Sequence, residues 1–181
     1  TAGVLAAAQY LQSQITDAVT VNIAVGYGEV NGYALGSNSL GSSQSYLTSL
    51  SYSSLAGALT ADATSADDRS AVATLPASSP VAGNFWTTTA QAKALGLAAA
   101  TGAALDGYVG FSSALPFDYS TSDGITAGTY DFNGVALHEL TEVMGRILFT
   151  GMTIGTTANS YDPYDLFHYA SAGARAFSAS T

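Results

Sequence analysis

Apolar residues recur at three- and four-residue steps over 3–17, where Val4, Leu5, Ala8, Leu11 and Ile15 form a stripe suited to a core-facing helix ending near Asp17. The period then drops to two. Val19, Val21, Ile23, Val25 and Tyr27 alternate with Thr20, Asn22 and Ala24, which predicts a half-buried strand. Residues 28–51 show no period and are rich in Gly and Ser, so a long loop or a weak hairpin is expected there. Short helices are predicted over 51–62 and 65–76, the second opened by a Ser/Asp cap and stopped by Pro76. Another is predicted over 87–98, with threonine caps and an end at Gly96. A short strand begins after Asp106-Gly107, and the best helical pattern of the chain occupies about 133–148, with Val135, Leu140, Val143, Met144 and Ile147 as core positions. From Thr150 onward the pattern is loop-like, with an aromatic cluster, "YDPYDLFHYA", at 161–170.

This order of elements predicts an α+β domain: a mixed, twisted sheet packed on helices, with the long helix beneath a cleft. No internal repeat is visible. The length of 181 residues suits a single domain spanning 1–181, and a chain beginning at Thr1 reads as a processed product or a piece excised from a longer protein.

Composition narrows the function classes. Four Lys and Arg stand against 13 Asp and Glu, a net charge of −9, so no basic surface is available for phosphates and neither nucleic-acid nor anionic-membrane binding is expected. No apolar run reaches the ~18 residues that would cross a bilayer. Without cysteine, only His, carboxylate, Tyr and backbone oxygens remain to hold an ion. Sparse Lys with abundant Ala, Ser, Thr, Gly and Tyr is the composition of a secreted bacterial protein, and an extracellular location is expected.

The chemistry concentrates in "VALHELTEVMGRIL", residues 135–148. On a helix His138 and Glu142 share a face and offer an imidazole nitrogen and a carboxylate oxygen to one ion. Glu139 stands beside them, and two of the three glutamates of the chain therefore lie within one turn. A structural alternative is an ion pair between Glu142 and Arg146, four residues apart in the favourable order and worth ~0.3 kcal/mol. Downstream, "YDPYDLFHYA" supplies further candidates: His168 and Asp165 as a third metal ligand, with Asp162, Tyr161, Tyr164 and Tyr169 near them. Asp165 can equally cap its own loop, and His168 can equally be a packed or surface residue. The acidic stretches "DATSADD" (62–68) and "DYSTSDG" (118–124) lack calcium-loop spacing and read as solvated turns.

"HELTEVMGR", preceded by "GVAL" and with "ALGL" and "DGYVGFS" upstream, resembles the active-site helix and edge strand of secreted bacterial zinc metallopeptidases of the zincin class, in particular the serralysin-like metzincins. That family carries His-Glu-x-x-His-x-x-Gly-x-x-His. The resemblance implies that His138 is the first ligand, Glu139 the general base that activates a metal-bound water, and Gly145 the glycine at which the chain turns away. Glu142 stands where the second histidine would be and Leu148 where the third would be; Met152 is the only later methionine. A His-plus-carboxylate shell leaves a zinc site more neutral than three imidazoles, raises the pKa of bound water, and admits calcium, manganese or iron. The expectation is a secreted, zincin-like, metal-dependent peptidase acting on peptides or proteins, with Glu139 catalytic and Arg146 orienting Glu142 or stabilising charge. The rivals are a non-catalytic surface module that kept the fold and lost the metal, and a calcium-stabilised domain.

Overall fold

A computed structural model describes residues 1–120 and 122–178. In chain order the first half contains α1 (Ala2–Gln14), β1 (Ile23–Tyr27), β2 (Glu29–Val30), β3 (Tyr33–Ala34), β4 (Gly41–Ser45), β5 (Leu47–Leu50), α2 (Tyr52–Asp62) and α3 (Ala66–Val72). There follow β6 (Asn84–Thr88), α4 (Thr89–Ala94), β7 (Gly107–Phe111), β8 (Phe117–Asp118), β9 (Tyr130–Asp131) and α5 (Phe132–Val143). The last stretch holds β10 (Met152–Ile154), β11 (Thr157–Tyr161), a 3-10 helix at Pro163–Phe167, β12 (Tyr169–Ser171) and β13 (Ala174–Arg175). The fold class is α+β, as the alternation of periods predicts. Among the described residues no helix is long and apolar enough to cross a membrane. The chain divides into two compact units, Thr1–Tyr46 with Thr101–Gly145, and Leu47–Ala100 with Arg146–Thr181.

In the first unit β7 is the central strand of the order β1-β7-β4, parallel to β1 and antiparallel to β4. Alternation along β7 decides what covers each face. Val109 and Phe111 join Ala7, Phe132, Ala136, Leu140 and Val143 in the core, so one face lies under α5, with α1 packed beside it. Gly107 belongs to that face, and a Cβ there would come 2.8 Å from a methyl of Val143. Gly110 points to the opposite face, where a Cβ would collide with the backbone of Glu29 on β2. The glycines of "DGYVGFS" thus mark close approach on both sides.

Three boundaries in this unit differ from the sequence reading. The first helix stops at Gln14, not near Asp17; Val4, Ala8 and Leu11 pack on the core while Leu5 and Ile15 are exposed. Strand β1 keeps only residues 23–27. Its Ile23 packs on the core, but Val25 and Tyr27 are exposed and line an open groove with Thr1, Val4 and Leu5, because β1 is a sheet edge that α1 leaves partly uncovered. The stretch 28–51, expected as a long loop or a weak hairpin, holds a short hairpin, β2-β3, and beyond it β4 and, in the second unit, β5. The sequences of β4 and β5 carry too few apolar residues for a clear period-two signal, and their partners β7 and β6 are distant in sequence.

The second unit has a mixed sheet in the order β10-β11-β6-β5, with β6 parallel to β11 and antiparallel to β5. Tyr52, Leu55, Phe85, Tyr161 and Leu166 form its core. The predicted helices of this region are present. Ser51 caps α2; Ser65 and Asp68 make a reciprocal capping box on α3; Thr88 caps α4, which ends at Gly96 with φ +67°. The tail from Thr150 is not the expected loop: it supplies the local hairpins β10-β11 and β12-β13 and the 3-10 helix, and β11 also pairs with the distant β6.

Candidate functional site

Helix α5 begins at Asp131, whose carboxylate accepts the backbone N–H of Asn133 at 2.9 Å. Phe132, Ala136, Leu140 and Val143 make its buried stripe, and Glu139 lies on the edge of that stripe at 6% exposure. His138 and Glu142 occupy the adjacent, wetter face, their side chains 55% and 28% exposed. The helix ends at Val143, with Met144 as cap and Gly145 at φ +109°, a conformation that L side chains resist. A glycine turn therefore closes the helix, which is shorter than the predicted 133–148. Arg146 lies beyond the end of the helix.

Two side chains meet the Glu142 carboxylate. His138 Nε2 lies 3.0 Å from Glu142 Oε1, and the Ser43 hydroxyl donates to Glu142 Oε2 at 2.6 Å. Strand β4 makes this possible. Its residues 41, 43 and 45 alternate toward one face, and at that face Gly41 lies so close to Glu139 that a Cβ would come 2.6 Å from Oε1. Both α5 carboxylates are therefore seated against a strand that offers a bare backbone and a hydroxyl instead of apolar bulk. Neither Gly41 nor Ser43 stood out in the sequence; reading "GSSQS" with a period of two would have put them on one face, but nothing local points to the helix 99 residues away. Beside them a groove of about 380 Å³ is lined by Asn38, Leu40, Gly41, Gly134, Val135, His138 and Glu139.

The donors can be tested against a metal. An imidazole nitrogen and a carboxylate oxygen are proper zinc ligands, and tetrahedral zinc with bonds near 2 Å separates two donors by about 3.3 Å, close to the 3.0 Å seen here. An Nε2–H donated to Oε1 accounts for the same approach without an ion. Two donors are fewer than the three protein ligands a catalytic zinc site keeps. Among the described residues no group of three or more His, Asp or Glu side chains is gathered to hold a metal.

The remaining sequence candidates lie in the second unit. Asp162 and Asp165 are fully buried and cap each other's turn. Asp162 accepts the N–H groups of Tyr164 (2.7 Å), Asp165 (3.2 Å) and Phe149 (2.8 Å). Both oxygens of Asp165 accept from Thr150 N–H, at 3.0 and 3.1 Å, and one also accepts from Asp162 N–H at 2.9 Å. Its carboxylate is committed to the loop-capping role. Burial, reinforced by the charge of Asp165, pushes Asp162 up to about 7 despite those amides, and burial also raises Asp165. His168 is half-buried, its Nδ1 3.1 Å from the Ala176 carbonyl. Tyr161 is a core residue, Tyr164 is exposed, and Tyr169 lies under the Arg175 guanidinium at 5.1 Å. Leu148 and Met152 are exposed.

Elsewhere the acidic stretches behave as capped turns. Asp68 closes the α3 capping box, and Asp118 accepts from Ser120 and Thr126; hydrogen bonds lower both pKa values, from Ser65 for the first and chiefly from the Thr126 hydroxyl for the second. Residue 121 of "DYSTSDG" lies outside the described residues.

No family model, curated protein or solved structure matches the chain.

Proposed function

We propose that the protein is a secreted, metal-dependent peptidase whose reaction centre is the His138-Glu139-Glu142 turn of α5. The observation that carries this reading is the coincidence, on one turn, of an imidazole and a carboxylate 3.0 Å apart and a second, buried carboxylate that borders a groove. In it His138 and Glu142 hold a divalent cation, which when bound polarises a carbonyl and acidifies water. Glu139, on the rim of the groove, serves as the base that takes a proton from the attacking water and passes it to the leaving amine. An extended peptide is the substrate favoured by the surroundings: the groove is walled by the start of β4, an edge of its sheet, where an added strand finds backbone partners.

Purified protein is expected to contain zinc in roughly stoichiometric amount by elemental analysis and to hydrolyse casein. Glu139→Ala should abolish hydrolysis, by at least the ~10²-fold that a general base contributes, while retaining the metal. Protein without metal and without cleavage would overturn the reading.

One observation favours a second reading, a non-catalytic module. Each oxygen of Glu142 already has a protein partner, so the helix needs no ion to satisfy its carboxylate. On that reading a chelator leaves the melting temperature unchanged, whereas loss of a bound metal lowers it.

A further inference from the structure

We infer that the first unit carries a binding pocket for a small hydrophobic amine, an aromatic or branched aliphatic body bearing one ammonium group, between α1, the segment 15–23 and the end of α5. Nothing in it depends on the peptidase reading.

Size and lining point to a compact apolar guest. The pocket has a volume of about 170 Å³, and eight of its ten lining residues are apolar. An apolar cavity of about 150 Å³ inside a protein stays dry and takes a molecule the size of benzene. Ala8 and Leu11 of α1 form one wall, and Leu140 of α5 with Met144 just beyond it forms another, all within the first unit. The two polar lining residues, Gln12 and Asp17, are exposed and stand at the mouth. A ligand here buries its hydrocarbon and keeps its polar end outward.

The third wall accounts for a sequence pattern that the sheet does not use. The alternation of Val19, Val21 and Ile23 predicts a strand from residue 19, yet β1 begins only at Ile23. Val19 and Val21 line the pocket with Ile23 instead. Their segment is fixed without strand pairing. Val19 N–H donates to the Asp17 carbonyl at 2.8 Å, and Asn22 N–H donates to the buried Asp106 carboxylate at 2.8 Å. The Asn22 side-chain amide donates to the carbonyls of Gly102 and Ala104, at 2.7 and 3.1 Å. A wall held in this way is formed before a ligand arrives, which lowers the ordering cost of binding.

Charge selects the polar end of the ligand. All four Lys and Arg of the chain, Arg69, Lys93, Arg146 and Arg175, belong to the second unit. The acidic residues of the first unit, Asp17 among them, therefore have no Lys or Arg of that unit to balance them. The resulting field draws a cation toward the mouth and repels an anion of the same shape. The Asp17 carboxylate supplies the local partner for the ammonium group.

The test titrates the isotope-labelled full chain with phenethylamine at low ionic strength and follows backbone amide shifts, with phenylpropionate as the control for charge and methylamine as the control for hydrocarbon. Shifts should concentrate on residues 8–23 and 140–144, which surround the pocket. Phenylpropionate should bind at least ~10-fold more weakly in the negative field, and methylamine should give no saturating shift over the same range. Asp17→Asn should weaken phenethylamine by about 2- to 5-fold, the range of an exposed ion pair, and Ala8→Leu, which fills the pocket, should abolish the shifts. Equal affinity for the amine and the carboxylate, or an Asp17→Asn variant as tight as wild type, would overturn the choice of an amine. Shifts centred elsewhere, or none at millimolar phenethylamine, would overturn the pocket itself. The shift map and Asp17→Asn alter no core residue, so they decide the outcome even where Ala8→Leu does not fold.

Discussion

Asp162 and Asp165 are buried completely, and their charges are the least comfortable in the second unit. Because burial and the charge of Asp165 push Asp162 from 3.8 up to about 7, the folded protein holds that proton more tightly than the unfolded chain does. The sign follows. The contribution to stability is fully present below the unfolded value and is lost as pH rises toward the folded one, opposite to the usual behaviour of a paired carboxylate. Urea denaturation across that interval should show stability falling with rising pH, by an order of magnitude of a few kcal/mol. Asp162→Asn should be less stable at low pH, having lost a good acceptor for Phe149 N–H, but with a flatter profile; equal slopes in both proteins would assign the effect to other groups. At this scale the sequence was informative where partners are four residues apart. His138 and Glu142 meet as helical spacing requires. Ser43 was illegible because its partner lies 99 residues away, and the buried state of Asp165 was hidden because "DPYD" looks the same in a solvated turn.

Among elements, legibility followed the locality of the signal. Ser51, Ser65 and Thr88 cap α2, α3 and α4 within a single turn of chain, so those helices could be read directly. Strands β4 and β6 could not, since "GSSQS" and "NFWTT" acquire extended structure from neighbours that no local window contains. The end of α5 is an intermediate case: the glycine was visible, but the apolar residues beyond it, Ile147 and Leu148, continued the helical pattern past the true stop. Gly145 enforces that stop at φ +109°. Gly145→Ala is expected to cost about 1–2 kcal/mol in chemical denaturation. An unchanged stability would mean that the chain can relax this turn.

For the molecule as a whole, the excess of 13 acidic over four basic residues works against any compact state through self-repulsion. Raising ionic strength from low to physiological values shortens the screening length to about 8 Å and should raise the melting temperature of the metal-free protein; a fall would indicate that attractive pairs outweigh the repulsion. Fold class was legible at this level because helical and strand periods alternate along the chain. The division into two units was not, because each is assembled from separated segments, and hydrophobic periodicity carries no information about which segments share a core.

That interleaving governs how the protein emerges from a ribosome. Residues 1–46 cannot complete their sheet until β7 is synthesised, and they lack α5 until residue 143 has left the exit tunnel. The β5-β6 pair likewise waits for β11, which is made only after the whole of 101–145. Neither unit can close early and shelter its half-built edges, so β1, with exposed Val25 and Tyr27, stands open until β7 is made, and one edge of β6, with Phe85 and Trp86, until β11 is made. Slow synthesis should therefore promote aggregation of this chain, and holding chaperones should matter more for its yield than for that of a protein whose units are contiguous.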